Sequence, residues 1–151
     1  QSVGTWIERH PALEGVPHDG FCAHQFYRLF GGGLKALNTT ERGSPEREKL
    51  VPIISGMRQD YDPKIGKSWS VSNNRWKFYR YGILSEGRIG KGKVVVCCLR
   101  VVPGLRSGQP EAGYLLDCLV EYAASDRFAP ATPPMTPEEV KQVFRLEAAT
   151  K

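Results

Sequence analysis

Apolar positions along this chain follow two rhythms, one suited to strands and one to helices. The strongest strand signal covers residues 81–99, YGILSEGRIGKGKVVVCCL. Tyr81, Ile83 and Ile89 precede a glycine-lysine turn at 90–92, and Val94, Val95, Val96, Cys97, Cys98 and Leu99 follow without a polar break. A run apolar at both parities predicts a strand buried on both faces, which helices or another sheet must cover. A second run, LVPIISGM at 50–57, predicts another buried strand. At the start, SVGTWIERHPAL predicts a short extended entry that breaks at Pro11.

The helical rhythm appears three times. Between 19 and 30, Phe21, Cys22, Gln25, Phe26, Leu29 and Phe30 form a stripe that the glycines at 31–33 end. Pro110 suits a first helical turn, after which Tyr114, Leu115, Cys118, Leu119 and Tyr122 repeat at three and four and should cover a sheet face. The last stretch begins with Thr136 as cap, Pro137 behind it and Glu139 three after the cap, a capping-box pattern. Its stripe of Val140, Val143 and Phe144 is narrow, so this helix docks on a surface. Residues 38–49, 60–76 and 101–108 are turn-rich and predict connections, the middle one unusually long.

Together these elements predict an α/β fold with a sheet of about four to five strands covered by helices. An α/β domain at 1–130 is followed at 131–151 by a proline-rich linker and a docking helix. The 151 residues suffice for one domain with a real core, and no apolar run approaches the roughly 20 residues that a membrane-spanning helix needs. The chain opens at Gln1 without a signal-peptide pattern, as expected of a processed product or part of a larger protein.

Charge and cysteines narrow the chemistry. The net charge of +5 is not gathered in one block; its densest cluster, Lys64, Lys67, Arg75, Lys77 and Arg80, is interleaved with Tyr61, Trp69, Trp76, Phe78, Tyr79 and Tyr81. Such a surface suits phosphates and stacked bases, or sugar rings and their hydroxyls. Cys22, Cys97, Cys98 and Cys118 form no CxxC and no metal spacing, so free thiols are expected and the set His18, Cys22 and His24 lacks a fourth ligand. Asn38, Thr39 and Thr40 make a glycosylation sequon, relevant only in a eukaryotic secretory setting.

The sequence contains no GxSxG, HExxH, GxGxxG or P-loop, and the three glycines at 31–33 lack the GK[ST] of a phosphate cradle. No cofactor or metal is called for. Asp19, Asp60, Asp62, Glu86, Asp117 and Glu121 are scattered, leaving an acid-base pair such as Asp60 and Glu86, or His24, as the enzymatic alternative. The binding alternative rests on the long connection. There Trp69, Trp76 and Tyr79 would offer ring faces to the apolar faces of pyranose rings, with Asn74 and Arg75 reaching hydroxyls. Packing of Trp76 and Tyr79 inside the domain is the competing reading.

Four blocks in order, HPALEGVPHDGFCAHQFYRLF, LVPIISGMRQDY, YGILSEGRIGKGKVVVC and GYLLDCLVEYAASDRFAP, resemble the C-terminal region of β-galactosidase-like enzymes of glycoside hydrolase family 2. His10 and Pro11, the strand at 52–54, Gly82 to Glu86 with the GKGK-containing centre at 90–97, and the helix end at 122–130 stand at the matching places, over about 130 residues. Phe26 and Tyr27 stand where that family tends to carry tryptophans, and residues 62–76 look like an enlarged connection. The resemblance implies a flavodoxin-like or glutamine-amidotransferase-like accessory domain, separate from the catalytic barrel of its parent. It further implies a non-catalytic carbohydrate-associated role, glycan-binding or structural, with a polysaccharide or oligosaccharide or other domains of a larger hydrolase as partners, in an extracellular or periplasmic setting. A basic-aromatic nucleic-acid-binding domain is the remaining alternative.

Overall fold

A computed structural model describes residues 4–30, 36–61 and 76–145. The chain builds β1 (Gly4–Ile7), 3₁₀ turns at Pro11–Leu13 and His24–Phe30, β2 (Leu37–Asn38), α1 (Pro45–Glu48), β3 (Leu50–Tyr61), β4 (Trp76–Ile89), β5 (Gly92–Cys97), α2 (Val101–Arg106), α3 (Pro110–Ala124) and α4 (Pro137–Phe144). The five strands form one open sheet in the order β1-β3-β4-β2, with β5 also on β4, and every pairing is antiparallel. The α/β class and the strand count match the expectation. A flavodoxin-like sheet consists of parallel strands joined by helical crossovers; here β4 and β5 are joined by a tight turn at Gly90, whose φ of 54° favours glycine.

The most buried strand is β4, where residues 82–87 are all buried. The valine-rich β5 is a half-exposed edge, against the expectation of burial on both faces, because among the described residues it pairs with β4 alone. Register shifts leave Ile53 of β3 and Ile83 of β4 without a paired residue. These two facing bulges break the strict alternation of a strand. As a result Ile53, Ile54, Ile83 and Leu84 all enter the same core, with exposures of 0–1%.

That core continues into Ala12, Leu13, Phe26, Leu29, Ala112, Leu115, Leu119, Tyr122 and Phe128, so α3 and the two 3₁₀ turns cover one side of the sheet. Leu50, Met135 and Val143, with Ile89, Val94, Val96, Val140 and Phe144, form a second cluster under α4. The predicted capping box holds that helix: Thr136 Oγ1 accepts from Glu139 N at 3.2 Å and Glu139 Oε2 accepts from Thr136 N at 2.7 Å.

Three local expectations change. The stripe at 19–30 becomes a 3₁₀ turn only from His24, burying Phe26 and Leu29, since i and i+3 eclipse in that helix. The connection expected at 101–108 contains α2. Pro103 fits its first turn, and Gly104 is needed because a Cβ there would lie 2.6 Å from the Ala112 methyl of α3. The long connection is shorter than expected at both ends, as residues 60, 61 and 76 belong to strands.

Candidate functional site

Two places carry the chemistry. The first follows from unequal strand lengths. β1 reaches Met57 of β3, and β2 reaches Tyr81 and Gly82 of β4, but β3 and β4 continue to pair from Arg58↔Tyr79 to Tyr61↔Trp76. Among the described residues this end is a two-stranded arm with no third strand. By sequence it carries Tyr61, Trp76, Phe78 and Tyr79. Tyr79 and Tyr81, two apart on one strand and therefore on one face, stack with ring centroids 6.4 Å apart and planes 30° from parallel. Phe78 is 50% exposed, and Met57 beside the arm's base is 42% exposed.

The base of the arm is fixed from its other face. The Arg80 guanidinium lies 5.3 Å from the ring centroid of Trp6 on β1. Its backbone is clamped to the start of the 39–49 segment, with Arg80 N donating to Thr40 Oγ1 at 2.7 Å and Thr39 N donating to Arg80 O at 2.9 Å. Of the residues singled out for binding, Tyr79 sits in this ledge with Tyr81 as its partner. Trp76 opens β4 opposite Tyr61 in register. Trp69, Asn74 and Arg75 lie outside the described residues.

The second place is a buried polar cluster on the helix-covered side of the sheet. Glu86, 6% exposed towards the C-terminal end of β4, accepts a 2.6 Å hydrogen bond at Oε2 from the Tyr122 hydroxyl of α3. His10 Nδ1 accepts from Ala12 N at 3.2 Å, which leaves the ring proton on Nε2, 3.6 Å from the same carboxylate oxygen. The imidazole meets the Tyr122 ring edge-on at 5.2 Å, and the Phe128 ring packs against Tyr122 at the same centroid distance. Burial, and then the Glu86 carboxylate that accepts its proton, raise the Tyr122 phenol well above its ordinary range. Pro11, Glu14, Gly15, Cys118, Glu121, Tyr122, Ser125 and Arg127 line an open cleft of about 290 Å³ above it, with Glu14 and Arg127 ion-paired at its rim.

The cluster ties the first 3₁₀ turn, the central strand and α3 together, and its carboxylate is shielded from the cleft. It is arranged as a structural lock. The enzymatic pair of Asp60 and Glu86 is not assembled: Glu86 is opposite Val51, whereas Asp60 is opposite Lys77, nine residues further along β3. At about 3.3 Å per residue the two are roughly 30 Å apart, against the 5–10 Å of working carboxylate pairs. His24 is exposed on its 3₁₀ turn. All four cysteines are free, and no cluster of three metal-ligating side chains exists among the described residues.

A family model described as a domain of unknown function, DUF8487, matches residues 1–145. The chain belongs to the DUF8487 family. The match runs through the linker into α4, so the capped C-terminal helix falls within the family's own span. No curated protein and no solved structure matches the chain. In the sequence Glu86 is one of several scattered carboxylates, and its partners lie far from it along the chain. The available signal was a lone carboxylate inside an apolar strand, which in a folded core requires a donor.

Proposed function

We propose that this DUF8487 domain is a non-catalytic carbohydrate-associated module that holds a glycan against the aromatic arm of β3 and β4. The observation that carries the reading is the Tyr79–Tyr81 ledge, which runs from the last row that β2 reaches, at Tyr81, onto the two-stranded arm at Tyr79. Two ring faces side by side offer an apolar, polarisable surface of the kind that fits the C–H faces of sugar rings. The ledge is clamped at its base by the Arg80 contacts, so little ordering entropy opposes binding. Trp69 and Trp76 extend the same aromatic series in sequence, with Asn74 and Arg75 as hydroxyl partners. The likeness of four sequence blocks to the accessory region of β-galactosidase-like glycoside hydrolases supports the same substrate class, and an extracellular or periplasmic setting with it. The finer fold expected from that likeness, flavodoxin-like, is no part of the proposal.

The test is a polysaccharide pull-down and glycan-array screen of the chain at low and high salt, with reducing-sugar release assayed on every hit. Binding that is insensitive to salt, yields no released sugar and falls at least tenfold in a folded Tyr79→Ala variant is the expected result. Absence of binding refutes the glycan reading. Steep loss of binding with salt would instead mark the basic-aromatic surface as a phosphate-backbone binder.

A further inference from the structure

The sheet has two long edges, and they are finished differently. Along β1 lies the 20–22 segment: Ile7 N donates to Gly20 O at 2.7 Å, and the Thr5 side-chain Oγ1 accepts from Cys22 N at 3.1 Å. On β5 no such cover exists among the described residues. The pair Ile89↔Gly92 closes the turn, and Cys98 N donates to Ile83 O at 2.8 Å, so the even-numbered residues 92–98 face β4. Antiparallel alternation then turns the N–H and C=O groups of Lys93, Val95 and Cys97 away from the sheet. Open edges are commonly guarded by lysine. Here the Lys93 ammonium is drawn aside, donating to Phe128 O and lying 5.6 Å from the centroid of the Phe128 ring.

We infer that β5 is the seam of a twofold dimer, pairing antiparallel with β5 of a second copy about Val95 and joining two five-stranded sheets into one. The register is self-complementary. Val95 exchanges both hydrogen bonds with Val95 of the other copy, and Lys93 stands opposite Cys97, so no charge meets its like. Val94 falls opposite Val96 and Val96 opposite Val94, which sets four β-branched side chains side by side across the seam. Those valines are half-exposed in one chain, at the border of the cluster under α4, and the second copy seals them. A second copy fits better than an unrelated strand, because the valine run 94–96 is its own mirror about Val95 and the outward lysine, Lys93, then meets Cys97 instead of another lysine.

Sedimentation of the wild-type chain over a concentration series should give twice the chain mass. Val95→Pro removes one outward N–H and no bond to β4, so a folded variant should be monomeric. Val95→Cys provides the readout that survives if the proline variant fails to fold. Hydrogen-bonded antiparallel pairs place Cα atoms about 5.5 Å apart, within disulfide range. Mild oxidation should therefore cross-link Cys at 95 to its copy, located by peptide mapping, while Val94→Cys gives no symmetric cross-link. A wild-type chain that stays monomeric at every concentration overturns the inference. So does a dimer that persists in folded Val95→Pro, or one in which Val95→Cys does not cross-link at 95.

Discussion

Replacing Tyr122 with Phe removes one oxygen from the middle of the structure and almost no volume. The lost atom is the donor to Glu86 Oε2 at 2.6 Å, and Glu86 is 6% exposed, so water does not readily replace it. A hydrogen bond to a charged group contributes about 1.5–3 kcal/mol, and a buried acceptor left unpaired is at the upper end. The expected loss is therefore about 2–3 kcal/mol, or roughly 5–10 °C in Tm for a domain of this size. The alkaline limb gives a second signature. The Tyr122 phenol titrates higher in the folded chain than in the unfolded one, so its contribution is complete below about pH 10, the unfolded value, and is lost as pH rises through the folded value. Tyr122→Phe should lack that part of the decline. Urea unfolding followed by tryptophan fluorescence at pH 7 and above pH 10 measures both quantities. Glu86→Met combined with Tyr122→Phe should recover part of the loss, because no buried carboxylate is then left unpaired, although His10 Nε2–H loses the oxygen 3.6 Å away. A single-variant loss below about 0.5 kcal/mol with an unchanged alkaline limb would refute the lock, since that is the size of an ordinary surface substitution.

Two further outcomes follow from packing. Gly104→Ala drives a methyl to within 2.6 Å of the Ala112 methyl, and Ala112 is fully buried, so α2 and α3 must separate. Overpacking of about 1–3 kcal/mol should exceed the roughly 1 kcal/mol that alanine gains in a helix, giving a net fall in the urea midpoint; a rise would mean that α2 moves freely. Burial pushes the Cys97 thiol up to about 11, so at pH 8 only about one molecule in a thousand carries the thiolate. Iodoacetamide should label it far more slowly in the folded chain than in urea, read by mass spectrometry of the 97-containing peptide.

What could be read in advance divides along a physical line. Signals that one short stretch contains were legible: the Gly90 turn between β4 and β5, Pro110 opening α3, and the Thr136–Glu139 box, each of which satisfies its own backbone groups. What depends on a distant neighbour was not. The apolar run at 94–99 reads as a strand covered on both faces, yet β4 takes the central position because β3 pairs with it over most of its length. Pro103 and Gly104 read as breakers, because nothing local shows that Ala112 of α3 lies against Gly104.

The same division governs the two sites, and it separates what they can do. Glu86 joins Tyr122 across 36 residues and His10 across 76, contacts that no local pattern encodes, and those partners enclose it. A carboxylate whose oxygen is held by a buried phenol, roughly 30 Å along the sheet from its proposed acidic partner, has neither the access nor the spacing for glycoside hydrolysis. The aromatic residues of the arm were legible because they cluster within one segment, and strand pairing turns that cluster into a surface. Tyr79 and Tyr81 share a face only because β4 keeps its alternation there, beyond the bulge at Ile83. In this fold the polar residues drawn inward hold the sheet to its helix, and the aromatic residues at the arm are the ones that the proposed glycan would meet.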